Sequence, residues 1–174
     1  IMEHKSIFTA REISEMATAI ALSTVLSFIK VFQMPQGGSI TAGSMIPIIY
    51  LALRNRPKVA LTGAILYGIV QFMIEPFFIH PAQFLLDYPL AFGALGIATF
   101  LKKYPFVGAG IGVAFRFLCH FLSGFIFFGM YAPEGFSPLY YSAIYNGSYL
   151  LPELIVTAIF IYILSKKKLI DAFK

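Results

Sequence analysis

Apolar residues in this chain gather into six long blocks, at about 7–29, 40–53, 59–74, 82–101, 106–128 and 139–164. The breaks between them hold residues that stop helices: Pro35 with Gly37 and Gly38, Pro57, Pro76, Pro105, and then Gly129, Pro133, Gly135 and Pro138. A block of about 20 apolar residues matches the hydrocarbon thickness of a bilayer. The pattern predicts an all-α integral membrane protein, with six transmembrane helices in a single domain covering 1–174. The second block is the shortest and is interrupted by Pro47. The first carries Arg11, Glu12 and Glu15 in its opening turns, and no small-residue cleavage site follows a short apolar core. It is read as a retained helix rather than a signal peptide.

Composition agrees. Of 174 residues, 59% are hydrophobic and only 12% charged, with a mean hydropathy of +0.81. A soluble domain carries about a quarter charged residues. Cys119 is the one cysteine and sits inside an apolar run, so no internal disulfide frames the fold.

The placement of charge gives an orientation. Eleven of the 13 Lys and Arg residues lie before or early in the first block (Lys5, Arg11), in the turn at 54–58, at Lys102 and Lys103, or after 165. The breaks at 30–39, 75–82 and 129–138 hold only Lys30, and Arg116 lies within a block. The positive-inside rule then predicts that both termini are cytoplasmic and that those three breaks face outward. Acidic residues lean the other way, with Glu75, Glu134 and Asp87 in or near the outer breaks. A site opening outward there would favour a cation.

Polar residues inside apolar blocks are costly and tend to face a cavity or a partner. In the fifth block Arg116 and His120 stand at i, i+4, on one helical face. Counted from Phe128, His120 is about 12 Å deep and Arg116 about 18 Å. The sixth block offers Ser142, Asn146, Tyr149 and Glu153 as a stripe, and the fourth offers Gln83 and Asp87 beside Phe84 and Tyr88. These faces can meet about a third of the way into the membrane from outside. Bland readings stand beside the functional ones. Arg116 and Glu153, the deepest pair, can simply neutralise one another, Asp87 can cap its helix, His120 can bond a backbone carbonyl, and Asn146 can bridge helices. Ala17 and Ala21 form a small-xxx-small pair, suited either to packing within the bundle or to a partner subunit.

The sequence has no phosphate-binding G-x-x-x-x-G-K-[ST] loop, no Cys/His metal cluster and no G-x-S-x-G elbow. Nor does it divide into inverted halves as a secondary carrier would. Uphill transport would need energy from another polypeptide.

Three stretches, MPQGGSITAGSMIPI (34–48), HPAQFLLDYPLAF (80–92) and RFLCHFLSGFIFFGMYAPEGFSPLYYSAIYNGSYLLPE (116–153), resemble the ThiT family, the thiamine-specific S-components of energy-coupling factor (ECF) transporters. The resemblance covers nearly the whole chain in order. It implies a six-helix protein of a prokaryotic plasma membrane that binds thiamine from outside. It further implies docking on a transmembrane scaffold subunit and two ATPase subunits, with ATP used only by those partners and no cofactor in this chain. Ala17 and Ala21 would then contact the scaffold. The pocket would include Asp87 and Tyr88, Arg116 and His120, and Tyr141 and Asn146. Asp87 or Glu153 would answer the positive thiazolium or the aminopyrimidine edge. Family members stack the ligand on tryptophan, and this chain has none. Phe128 or Tyr131, with Met34 or Phe32 from the first loop, would take that place. Two rival readings remain: an S-component for another aromatic cation or a thiamine precursor, and an intramembrane enzyme using His120 with Asp87 or Glu153 as an acid–base pair. The missing nucleophile and metal cluster count against the enzyme.

Overall fold

The computed structural model describes residues 6–170. Lys5 and Lys174, and with them the expectation about the two chain ends, lie outside the described residues.

Helix α1 (Ala10–Phe28) starts with a capping box: the Glu12 N–H donates to Thr9 Oγ1 and the Thr9 N–H donates to Glu12 Oε2. It buries Met16, Ala19, Ser23 and Ser27, one stripe at helical spacing, while Ala17 and Ala21 stay exposed on another face. The break at 30–39 is more ordered than a loop. Strand β1 (Lys30–Gln33) pairs antiparallel with β2 (Ser39–Thr41), with a register irregularity between Lys30 and Phe32. The turn between them is closed by the Met34 N–H donating to Gly38 O at 2.6 Å, and needs Gly37 at φ +92°. A short hairpin therefore joins an otherwise helical protein.

The expected second span is corrected more strongly. Helix α2 is only Ile46–Arg54, nine residues and about 14 Å long, too short to cross a bilayer by itself. The rest of that apolar block belongs to β2 and to a bend through Gly43 at φ +94°. Pro47, at the start of α2, lies where a helix tolerates proline.

Helix α3 (Pro57–Ile74) follows. The next block forms one helical rod, α4 (Pro81–Leu101), whose winding changes along its length. It is α-helical at Pro81–Leu85, π-helical at Leu86–Leu90, briefly α-helical again, and 3₁₀ from Ala94 to Leu101. Pro89 inside the π segment has no N–H to give and so favours the local change of winding. Helices α5 (Pro105–Phe127) and α6 (Pro138–Lys166) complete the bundle, and α6 contains Pro152.

Among the described residues four helices, α3 to α6, are long and apolar enough to cross a membrane. The apolar core sits at the end where α2, α3 and α4 meet, around Ile48, Ile49, Leu53, Val59, Ala60 and Leu95, with Ile161 from α6. The same end collects cations. Arg56 pairs with Glu12 (2.7 Å), Arg11 with Glu15 (2.8 Å), and Arg11, Arg54 and Lys102 border one small cavity with Ile170. The hairpin lies at the other end.

Candidate functional site

The hairpin end encloses a cavity of about 460 Å³, within the range of small-molecule sites. Its walls come from the hairpin, the α3–α4 connection and helices α1 and α3 to α6.

The π segment of α4 carries Asp87 and Tyr88 at the cavity wall. Gly68 of α3 makes that approach possible, because a Cβ there would stand 2.5 Å from the Tyr88 carbonyl oxygen. The Tyr88 hydroxyl donates to Glu75 O and accepts from the Phe77 N–H, which ties the α3–α4 connection to the helix. Asp87 is held by three groups. His120 Nδ1 lies 3.0 Å from Oδ1, while Gln83 Nε2 (2.8 Å) and Ser123 Oγ (2.7 Å) donate to Oδ2.

On α6, Asn146 donates to the carbonyls of Ser142 and His120 and accepts from the Tyr149 hydroxyl, so it both bridges helices and lines the cavity. The hairpin is pinned across the cavity mouth. Tyr145 OH accepts from the Gln36 and Gly38 N–H groups at 3.1 and 3.2 Å, and Tyr141 OH donates to Gln36 Oε1. At the base of β2, Glu153 Oε1 accepts from the Thr41 N–H and from Thr41 Oγ1, the latter at 2.6 Å. Lys30 and Glu75 form an ion pair, and both line the cavity.

Eight of the twelve residues singled out from the sequence thus line one cavity: Asp87, Tyr88, Arg116, His120, Phe128, Tyr141, Asn146 and Glu153. Arg116 and Glu153 do not neutralise one another; no ion pair joins them. Glu153 is instead engaged by the two Thr41 donors. Arg116 places its guanidinium 4.2 Å from the centre of the Phe92 ring, with Nε 3.4 Å from His120 Nε2.

Three of the expected stacking residues lie outside the cavity lining. Tyr131 is exposed and packs beside Phe128, with ring centres 6.2 Å apart. Met34 has its sulfur 4.0 Å from Ser148 Oγ, and Phe32 is exposed on β1. In the hairpin the lining falls instead to Lys30, Gln33, the turn residues Pro35 to Gly38, Ser39 and Thr41, with Phe32 and Met34 on either side of Gln33 turned away. The rings that do face the cavity are Phe77, Phe92, Phe128, Tyr88, Tyr141, Tyr145 and Tyr149. Phe77, in the connection between α3 and α4, lies 5.5 Å from Phe128. The i, i+4 spacing of Gln83 and Asp87 already sets them on one helical face, but nothing in the sequence shows that Ser123 of α5 also reaches Asp87. Ala17 and Ala21, the remaining two, are on α1 away from the cavity.

The profile of the family described as "Thiamine transporter protein (Thia_YuaJ)" matches residues 13–171. The chain belongs to this family. Thiamine transporter ThiT of Bacillus subtilis (strain 168) is 36% identical over 179 residues, spanning 93% of this chain and 92% of its own. Thiamine transporter ThiT of Lacticaseibacillus paracasei is 30% identical over 140 residues, 69% of this chain and 70% of its own. A solved structure of ThiT from Listeria monocytogenes aligns with a TM-score of 0.79 at 28% identity, covering 90% of this chain and 93% of that one. Membership in the ThiT family makes this a family of transport rather than catalysis, which removes the intramembrane enzyme. With four membrane-capable helices, this ThiT-family chain is a multi-pass membrane protein.

Proposed function

We propose that the protein is the thiamine-binding S-component of an ECF-type importer, taking thiamine from outside the cell into the cavity beneath the hairpin. The observation that carries the reading is the charge of the lining. Lys30 and Arg116 stand against Glu75, Asp87 and Glu153, so the cavity has one net negative formal charge in apolar surroundings. That complements a monocation with two flat rings. Asp87, Tyr88, His120, Tyr141 and Asn146 read the polar edges of the ligand; Phe128 and Phe77 face its rings. Arg116 and Glu153 close the deep end, and the hairpin covers the mouth. No bond in the ligand changes and no cofactor takes part.

The cations gathered at the end opposite the hairpin support an orientation with that end, and both termini, in the cytoplasm of a prokaryotic cell. α1 then crosses the membrane, and the hairpin with α2 fills the depth of a further crossing, its irregular backbone turned to the cavity rather than to lipid. This makes six passes in all. The exposed small-residue face of α1, with Ala17 and Ala21, receives the scaffold subunit, on which two ATPase subunits do the work of transport.

Three measurements test this. Native mass spectrometry of detergent-purified protein should show one thiamine per chain, bound without nucleotide; a different bound cation would redirect the assignment to another S-component. Ala17→Phe with Ala21→Phe should abolish uptake in cells and leave binding unchanged, and equal loss of binding would return these alanines to the bundle. Glu134→Cys on a Cys119→Ala background should react with an impermeant thiol reagent on intact cells. Labelling only after lysis would invert the topology.

A further inference from the structure

Asp87 is not a bare carboxylate waiting for a ligand. Both of its oxygens are already committed, and the partners are arranged so that each atom can play only one part. Gln83, buried within α4, accepts the Ile79 N–H on its Oε1 (3.2 Å). A backbone N–H can only donate, so that atom is the amide oxygen and the other is the nitrogen. The nitrogen donates both to Phe77 O (3.1 Å) and to Asp87 Oδ2 (2.8 Å). The same Asp87 oxygen receives the hydroxyl of buried Ser123 at 2.7 Å. Oδ1 is left for His120 Nδ1 at 3.0 Å.

The arrangement also settles the proton on His120. Facing a carboxylate that accepts on Oδ1, Nδ1 carries the hydrogen. Its other nitrogen, Nε2, faces Arg116 Nε at 3.4 Å, and arginine only donates. An imidazolium would set two N–H groups against each other there. The neutral Nδ1–H form satisfies both contacts, and it keeps the net negative charge of the cavity.

We propose that Gln83 and Ser123 are positioning residues for ligand recognition: they hold Asp87 from behind so that its other oxygen keeps His120 in one neutral tautomer at the cavity wall. Neither residue needs to touch the ligand. Their effect reaches it through the orientation of Asp87 and the charge of His120. The proposal rests on the reading of the cavity as a site for a cation, but its test does not depend on that reading alone.

The experiment uses the full-length protein in detergent with ¹⁵N-labelled histidine. The wild type should show His120 as a single Nδ1–H tautomer, assigned by loss of the signal in His120→Asn. Ser123→Ala, and separately Gln83→Met, should give mixed tautomer or imidazolium signals at the same pH. Each should weaken thiamine binding by about five- to tenfold and reduce the preference for thiamine over an uncharged ring isostere. Ser123→Thr, which keeps the hydroxyl, should restore both. An unchanged tautomer with unchanged preference overturns the proposal. So does an equal loss of affinity for charged and uncharged ligands with the tautomer intact, which is what a merely structural role predicts. If the wild type binds no thiamine, the functional reading fails while the histidine spectra of the unliganded variants still decide this inference.

Discussion

Where α2, α3 and α4 meet, the bundle is apolar and tightly closed: Ile48, Ile49, Val59, Ala60 and Leu95 have no exposed surface. At the hairpin end the same α3 and α4, joined by α5 and α6, enclose Gln71, Asp87, His120, Asn146 and Glu153 around an open volume. The two ends differ in how their structure is specified. Packing at the apolar end needs only side chains of suitable size, and many sequences would supply it. At the polar end nearly every group has a named partner, because an unmet polar group inside a membrane protein is costly. Two of the three acidic residues lining the cavity also lie beside a proline within a helix. Asp87 is in the π segment two residues before Pro89, and Glu153 directly follows Pro152. The π segment of α4 lies at the end that has a cavity to line, while the 3₁₀ stretch Ala94–Leu101 runs on into the apolar end.

This contrast can be broken most forcefully at the apolar end. Ile49→Ala should cost about 2–5 kcal/mol of stability through the space left behind, read as a lower thermal midpoint in detergent, while thiamine affinity per folded molecule stays within about twofold. A matching loss of affinity would mean that the two ends are not separable.

At the polar end, Asp87→Asn replaces an acceptor by an amide that must turn an N–H toward a donor. Either His120 or the Gln83–Ser123 pair then faces its own kind. Titration calorimetry should show a loss of about 1.5–3 kcal/mol, roughly 10- to 150-fold in dissociation constant. The helix is capped by His80 and not by Asp87, so a change within about twofold would mean that the carboxylate takes no part in binding.

The smallest expected effect is at the lid. Tyr145→Phe removes the acceptor of two turn N–H groups. It should cost about 1 kcal/mol, seen mainly as thiamine dissociating about fivefold faster. Unchanged dissociation would show that Thr41 and Glu153 hold the hairpin without Tyr145.

The sequence was most legible where its physics is one-dimensional. Blocks of apolar residues and punctuating prolines located α3, α5 and α6 to within a residue or two, and the uneven placement of Lys and Arg agrees with a bundle that has a cationic end. The second block misled because apolar content measures burial, not helicity. Gly43 and the β2 pairing divide it, and only nine residues coil. Asp87, His120 and Asn146 were legible as polar residues at matching depth. The partner from another helix was not, since the Ser123 contact to Asp87 depends on how α5 packs against α4. Tyr131 and Met34 were chosen as aromatic or soft residues near the mouth. For Met34 the inward-facing choice depends on how the hairpin folds back on itself, and for Tyr131 on the turn Gly129–Tyr131 after α5, neither of which apolar content reveals.

The central claim is that the hairpin-end cavity holds a ring-bearing cation through its excess negative charge. The direct measurement is calorimetric titration of the purified protein with thiamine, and with an isostere whose thiazolium nitrogen is replaced by carbon so that the ring is uncharged. Thiamine should bind one per chain without nucleotide, about 10- to 150-fold more tightly than the isostere, the equivalent of one charge-assisted contact. Equal affinity for the two would contradict the account, because the cavity would then be reading shape and not charge.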